Sequence, residues 1–377
     1  MKKKKKEKKI LYQLIFSAFL LFSNAYLVKA NSDILSQDST GKYCINTEQD
    51  YYNFIENIQN YNNKTVILCN DIDISDVPEA TSSFGGILNG KGHTITYASK
   101  EAKENIAVFP FRINDNGIVE NINVQIDESY AYNSETDEFQ TVFSQCDGIA
   151  KGITIKGNVT CIYDDEDEDV SIGAIEGNGT LMDSSIAITY DLQSEKTIEE
   201  IAEDIVENDL EFEFCQLGTT YTGITYQNCI GYGQYSEAIK SLADELEPKI
   251  EDDTWGSLYV SFTRKSFFST SASATNCYYD KENMPDIKIR SEYIANRDNN
   301  KEFPNYADFG KTTSEMKNQG TYEGFDFNKK WTISPEDNNG YPYYNLQTEE
   351  ITLKVQASTE PKVWSTSVPR DYNRFVD

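Results

Sequence analysis

Four glycine-led segments recur through the middle of this chain and constrain its fold more than any other feature. They read GIVENINV from Gly117, GIAKGITI from Gly148, GTLMDSSIAI from Gly179 and GITYQNCIGY from Gly223. The first three glycines stand 31 residues apart; the last interval is 44 and holds an acidic stretch of helical pattern. Each unit is a glycine followed by apolar residues at alternate positions, the period of a strand with one buried face. One such strand cannot bury that face alone. Strands repeated every 20–50 residues or so bury it against one another. The spacing predicts an all-β solenoid in which Ile118, Ile122 and Val124 share one core with Ile149, Ile153 and Ile155. A solenoid offers a long surface for contact more often than a cleft for chemistry.

The first thirty residues read as an export signal. Lys2 to Lys6, Lys8 and Lys9 precede an apolar run from Ile10 to Phe22, which is short for a membrane span. Small residues place cleavage after Ala25 or Ala30. Without residues 1–30 the chain keeps 26 basic and 61 acidic residues, a net charge near −35. That charge argues against nucleic acid as a partner and against membrane insertion of the mature chain. Residues 351–377 are polar, with no sorting motif and no apolar tail. The expected location is extracellular, released or held non-covalently on the cell surface. The richness in Lys, Asn, Ile and Tyr, together with the signal type, points to a Gram-positive bacterium.

Aromatic residues make up 12% of the chain, too many for a disordered acidic protein. Seven cysteines stand at 44, 69, 146, 161, 215, 229 and 277, an odd number with no CxxC pair. With one histidine in the chain, these spacings do not make a zinc site. Cys44 and Cys69 are placed to join in an oxidising compartment. Cys229 and Cys277, each following an asparagine, are expected to stack as buried thiols.

Along the chain, residues 31–63 read as an N-terminal cap with a helix over 43–63. Residues 64–285 read as the repeats, interrupted by helical inserts at about 193–213 and 236–250. Both inserts are expected to lie outside the strands and leave their register intact, so that deleting 193–211 would be tolerated. Residues 286–346 read as a C-terminal coil and cap, and 347–377 as a polar tail.

Three runs carry a family resemblance: KTVILCNDIDIS, FGGILNGKGHTI and AVFPFRINDNGIVENINV. With the later NCYYD, TTSEMK, FDFNKKWTI and NNGYPYYN, they resemble the GLUG-motif repeats of bacterial surface and secreted proteins. The resemblance covers most of residues 64–346. It implies a right-handed parallel β-helix, adhesin-like or accessory to a surface enzyme. The chain departs from the pattern where Gly-Leu-Phe-Gly is replaced by Ala107-Val108-Phe109-Pro110 and by Thr141-Val142-Phe143-Ser144.

Candidate chemistry is sparse. His93, the single histidine, falls in a turn of the NGKGHTI box, with its ring expected to be satisfied by backbone; no nucleophile motif such as GxSxG accompanies it. Asp71, Asp73 and Asp76 alternate with Ile72 and Ile74, which reads as a solvated outer face more readily than as a calcium or sugar site. The acidic run Asp164 to Asp169 lacks the glycine and terminal glutamate of an EF-hand and reads as a solvated loop. Arginines 112, 264, 290, 297, 370 and 374 form no catalytic box, and no paired carboxylates are evident. No catalytic residue, metal or cofactor is therefore expected, and the ligand-binding residues are not legible. The expected function is a monomeric, non-enzymatic adhesion or binding module for an extracellular glycan or protein, with tyrosines supplying contact area. The alternatives are a glycan-active β-helix enzyme, a lyase or hydrolase, and a structural component of the cell envelope.

Overall fold

A computed structural model describes residues 35–75, 77–78, 80, 82–98, 107–131, 139–163, 169–218, 223–251, 256–261, 273–285, 287–290 and 309–345. Residues 1–30, read above as an export signal, Asp76, the acidic run apart from Asp169, and the tail 347–377 lie outside the described residues.

The chain is mostly β and built on long parallel sheets. In the larger sheet, strands Tyr43–Ile45, Thr65–Leu68, Ile87–Asn89, Ile118–Ala131, Ile149–Ile162, Ser185–Gln193, Ile230–Gly231, Tyr278–Asp280 and Gly310–Lys311 follow one another in chain order. Each pairs in parallel with the next. A second sheet carries Phe109–Ile113, Phe139–Cys146, Val170–Ile175, Glu211–Cys215 and Ser257–Ser261, also parallel and in order. Ile287–Ile289 closes that sheet's edge antiparallel. One buried cluster takes side chains from both sheets, among them Ile122, Ile153, Phe143 and Ile172.

The glycine spacing has a steric cause. Ile149 N–H donates to Gly117 O at 3.0 Å, and Thr180 N–H donates to Gly148 O at 2.8 Å. A Cβ on Gly148 would lie 2.3 Å from Gly117 O, and one on Gly179 would lie 2.2 Å from Gly148 O. The fourth unit is out of step by one residue. Thr180 pairs with Thr225, so Ile224 and not Gly223 stands opposite Gly179.

The expected core holds for Ile122, Val124, Ile153 and Ile155, which are buried. Ile118 and Ile149 instead face outward and are half-buried, while Val119 and Ala150 point in. The alternation changes phase because the strands bend between these positions. Asn121 and Gly152 take left-handed backbone angles, with φ of 55° and 60°. Simple period-two reading cannot see such a bend.

The predicted helix over 43–63 begins later. Tyr43–Ile45 is a strand, and helix α1 spans Glu48–Glu56, capped by the Thr47 side chain on Asp50 N–H. Its buried Tyr51, Phe54 and Ile55 meet the first strands, with Phe54 edge-on to Phe84 and Phe111. A disulfide joins Cys44 to Cys69, tying this first strand to the segment after the second.

The inserts form helices α2 (Ile198–Glu207) and α3 (Glu237–Leu246). Thr197 and Glu200 close a capping box at α2. The strands on either side stay in register: Val170 pairs with Phe212 and Ser185 with Ile230. The helices do not lie outside the core as expected. Ile201, Ala202, Ile205, Ile239, Leu242, Ala243 and Leu246 belong to the same buried cluster as the strands. Fully burying one such aliphatic side chain is worth about 1.5–3 kcal/mol, so removing α2 opens the core instead of trimming a surface.

The C-terminal segment adds Gly310–Lys311 at the end of the larger sheet and then runs back along its flank as a strap. Met316, Tyr322, Phe325, Trp331 and Tyr341 build a second apolar cluster on Ile230 and Tyr278 of the larger sheet.

Candidate functional site

The larger sheet has two lines of side chains whose geometry bears on function. The first is a polar ladder at the strand bends. Asn121, Gly152, Asp183, Asn228 and Asn276 occupy equivalent places on successive strands. All five have positive φ, between 49° and 60°. Asparagine, aspartate and glycine tolerate this conformation best. Asn228 Nδ2 donates to Asp183 Oδ1 at 3.0 Å, and Asn276 Nδ2 donates to Asn228 Oδ1 at 3.3 Å.

The strap runs along this ladder. Lys330 Nζ donates to Asp183 Oδ2 at 2.7 Å, Gly324 lies against Asn276, and the Tyr344 ring lies over Gly152. The Asp183 carboxylate holds the Lys330 ammonium charged, raising it above the ordinary lysine value. Lys156, whose charge burial disfavours, donates to Asn338 Oδ1 at 2.6 Å. The strap's anchor is Asp280, a fully buried carboxylate. It accepts from Glu282 N–H, Asn283 N–H and Nδ2, Thr313 Oγ1 and Tyr341 OH. The NCYYD, TTSEMK and GYPYYN runs thus meet at one atom group. Burial, then that carboxylate, pushes the Tyr341 phenol far above its ordinary value.

The second line faces outward. Thr65, Ile87, Ile118, Ile149, Thr180, Thr225 and Ser273 stand directly opposite one another on seven successive parallel strands. Every one is at least partly exposed. At about 4.8 Å per strand they make a straight strip roughly 29 Å long. Beside it runs a mostly polar line through Asn89, Glu120, Lys151, Met182, Gln227 and Thr275, begun by Ile67. Asn89 Nδ2 donates to Glu120 Oε1 at 2.6 Å, and Lys151 pairs with Glu120 at 2.8 Å.

His93 and Asp71 come together. His93 Nδ1 lies 3.0 Å from Asp71 Oδ1, so the ring meets a side-chain carboxylate and not backbone as expected. Asp71 also accepts from Thr94 N–H at 2.9 Å; that bond, then the His93 ring, holds its carboxyl below the usual 3.8. Ile72 and Ile74 are buried, and Asp71 and Asp73 exposed, as the alternation predicts. The pair stitches the NDIDIS and NGKGHTI runs, and among the described residues no nucleophile is hydrogen-bonded to it. A group whose folded carboxyl is depressed adds stability above its unfolded value and loses it as pH falls through the folded value. Asp71→Asn should therefore cost less than about 1 kcal/mol at pH 7, and less still near pH 2. Thermal melts at the two pH values check this; an equal deficit at both would contradict it.

Sequence reasoning missed one carboxylate pair. Asp147 and Glu176 sit at successive bends between the two sheets. Asp147 is held by Arg112 Nε at 2.6 Å, Gln145 Nε2 at 3.1 Å and Asn178 N–H at 3.0 Å. Glu176 is pushed above the usual glutamate value, first by burial and then by Asp147. Burial, then Asp147, also drives the neighbouring Cys146 thiol up to about 12. The four-residue run from Cys146 to Ile149 carries no signal that a carboxylate 29 positions after Asp147 would join it.

Among the described residues no group of three or more His, Cys, Asp or Glu side chains is placed to hold a metal ion. Among the described tyrosines, Tyr43, Tyr52, Tyr232, Tyr343 and Tyr344 are partly exposed. No helix among them is long and apolar enough to cross a membrane. Searches against family models, curated proteins and solved structures give no match to this chain.

Proposed function

We propose that the protein is an exported, non-enzymatic binding module, and that its two parallel sheets are faces of one right-handed parallel β-helix of the GLUG-repeat kind. The export signal, the acidic mature chain and the Cys44–Cys69 disulfide support the extracellular reading. The observation that carries the binding reading is the outward strip from Thr65 to Ser273. It sets a threonine, isoleucine or serine once per strand, beside a mostly polar line that Met182 interrupts. A surface with a translational repeat fits a ligand with one, and the extended ligand that repeats is a linear glycan. The net negative charge favours a neutral polymer over a polyuronate.

The pair Asp147 and Glu176 favours one second reading, a glycan hydrolase, because Glu176, raised by burial and by the Asp147 charge, suits an acid role with a second carboxyl near it. Purified protein incubated with neutral and acidic polysaccharides decides between them. The binding reading expects retention on a neutral polymer with no new reducing ends and no unsaturated products. Release of such products, abolished by Glu176→Gln, would establish the enzyme instead.

A further inference from the structure

We propose that Cys229 and Cys277 form a second disulfide, made while the chain folds, that fastens two successive parallel strands of the binding strip. For its oxidant the inference rests on the export reading above; its geometry does not. Both cysteines follow a ladder asparagine, Asn228 and Asn276, which are 48 positions apart and hydrogen-bonded to each other. The strands before them pair Thr225 with Ser273, and the strands after them pair Ile230 with Tyr278. The two cysteines therefore stand directly opposite. Parallel neighbours about 4.8 Å apart fall within the Cα separation a disulfide spans, 4.4–6.8 Å or so.

The side chains also point the same way. Cys229 Sγ contacts Gln227 O at 3.4 Å, and Cys277 Sγ contacts Thr275 O at 3.5 Å, each two residues back. Ser184, one strand earlier in the same line, makes the same contact to Met182 O at 2.8 Å. The structure holds both as free, buried thiols, as the sequence leads one to expect, and Cys229 Sγ also lies 3.5 Å from Leu181 O on the preceding strand. Both are fully buried, so no oxidant reaches them once the strands have closed. The bond must form as Tyr278–Asp280 docks on Ile230–Gly231.

The chemistry is thiol–disulfide exchange with a small-molecule or protein disulfide. One cysteine thiolate attacks a sulfur of that disulfide, forming a mixed disulfide and releasing one thiolate, which takes up the proton lost. The second cysteine thiolate then attacks the protein-side sulfur, forming Cys229–Cys277 and releasing the other thiol. Two protein thiols are oxidised and one disulfide is reduced to two thiols. Locking these strands fixes Thr225 and Ser273 in the strip and sets the platform on which Asp280 holds the strap.

The test is denaturation and reduction of the full chain, refolding with reduced and oxidised glutathione, and alkylation under denaturing conditions before peptide mapping. Five cysteines stand outside the Cys44–Cys69 bond. The expected result is alkylation of three, Cys146, Cys161 and Cys215, with residues 229 and 277 on one linked pair of peptides. In Cys229→Ser, which Ser184 shows the site accommodates, Cys277 should become alkylated while the fold is kept. Alkylation of both Cys229 and Cys277 in refolded wild type whose Cys44–Cys69 bond is intact would overturn the proposal. So would linkage of either to another cysteine. The glutathione supplies the oxidant, so a negative result here counts against the pairing and not against export. Export is read separately, from protein in the culture medium.

Discussion

Gly148→Val is expected to abolish the folded state, and Gly148→Ala to cost more than about 3 kcal/mol. The position has no room for a side chain: a Cβ there would lie 2.3 Å from Gly117 O and 2.4 Å from Asn114 O. Both obstacles are backbone, so relief requires separating strands. That movement breaks the bonds from Ile149 N–H to Gly117 O and from Thr180 N–H to Gly148 O. Overpacking typically costs 1–3 kcal/mol or so when side chains can yield; here the backbone of two strands must move. The total stability of a domain is only about 5–15 kcal/mol. Gly320→Ala is the control, since its new methyl would meet only the Asn318 side-chain oxygen, at 3.3 Å. Urea unfolding of the three variants measures the effect. Wild-type stability in Gly148→Ala would show that successive strands are not packed as described.

Asp280→Ala is expected to release the C-terminal strap while leaving the parallel sheets paired. Its carboxylate receives five hydrogen bonds, from groups at 282, 283, 313 and 341, all converging on a fully buried site. Hydrogen bonds to a charged group contribute about 1.5–3 kcal/mol each, and removing the acceptor leaves buried donors unpaired. The loss should be roughly 3–5 kcal/mol and local to the strap. Limited proteolysis reads it directly: cleavage should appear between residues 312 and 345 under conditions where wild type is resistant. The β-type circular dichroism signal should persist. A proteolysis pattern unchanged from wild type would remove Asp280 from its role as anchor.

Local patterns made much of this fold legible. The 31-residue glycine spacing reports a real steric contact between strands, and the alternation at Asp71 to Ile74 gives the correct faces. Both α2 and α3 were visible in their apolar period, yet their burial in the common core was not, because the period says which face is apolar and not what covers it. Ile118 and Ile149 were misread for a related reason. A left-handed residue at Asn121 or Gly152 flips the phase of a strand without altering its composition. The echo of Asn228-Cys229 in Asn276-Cys277 was the one visible sign of the ladder, and Asn121 would have joined it had the units been aligned on their bends. The strap and the Asp147–Glu176 pair depend on contacts between distant segments, 147 positions in the case of Lys330 and Asp183. No local pattern encodes such a distance.

The binding strip is the central claim, and substitution within it is the most direct test. Ile118 lies mid-strip and half-exposed, so Ile118→Glu should fold normally while interrupting the line between Ile87 and Ile149. Wild type and variant are compared for retention on a panel of neutral polysaccharides and extracellular-matrix proteins, with matched circular dichroism spectra. The account predicts that wild type is retained on a neutral linear glycan and that Ile118→Glu weakens retention at least tenfold, about 1.4 kcal/mol. Equal retention of the two proteins, or retention of wild type by proteins alone, would contradict it.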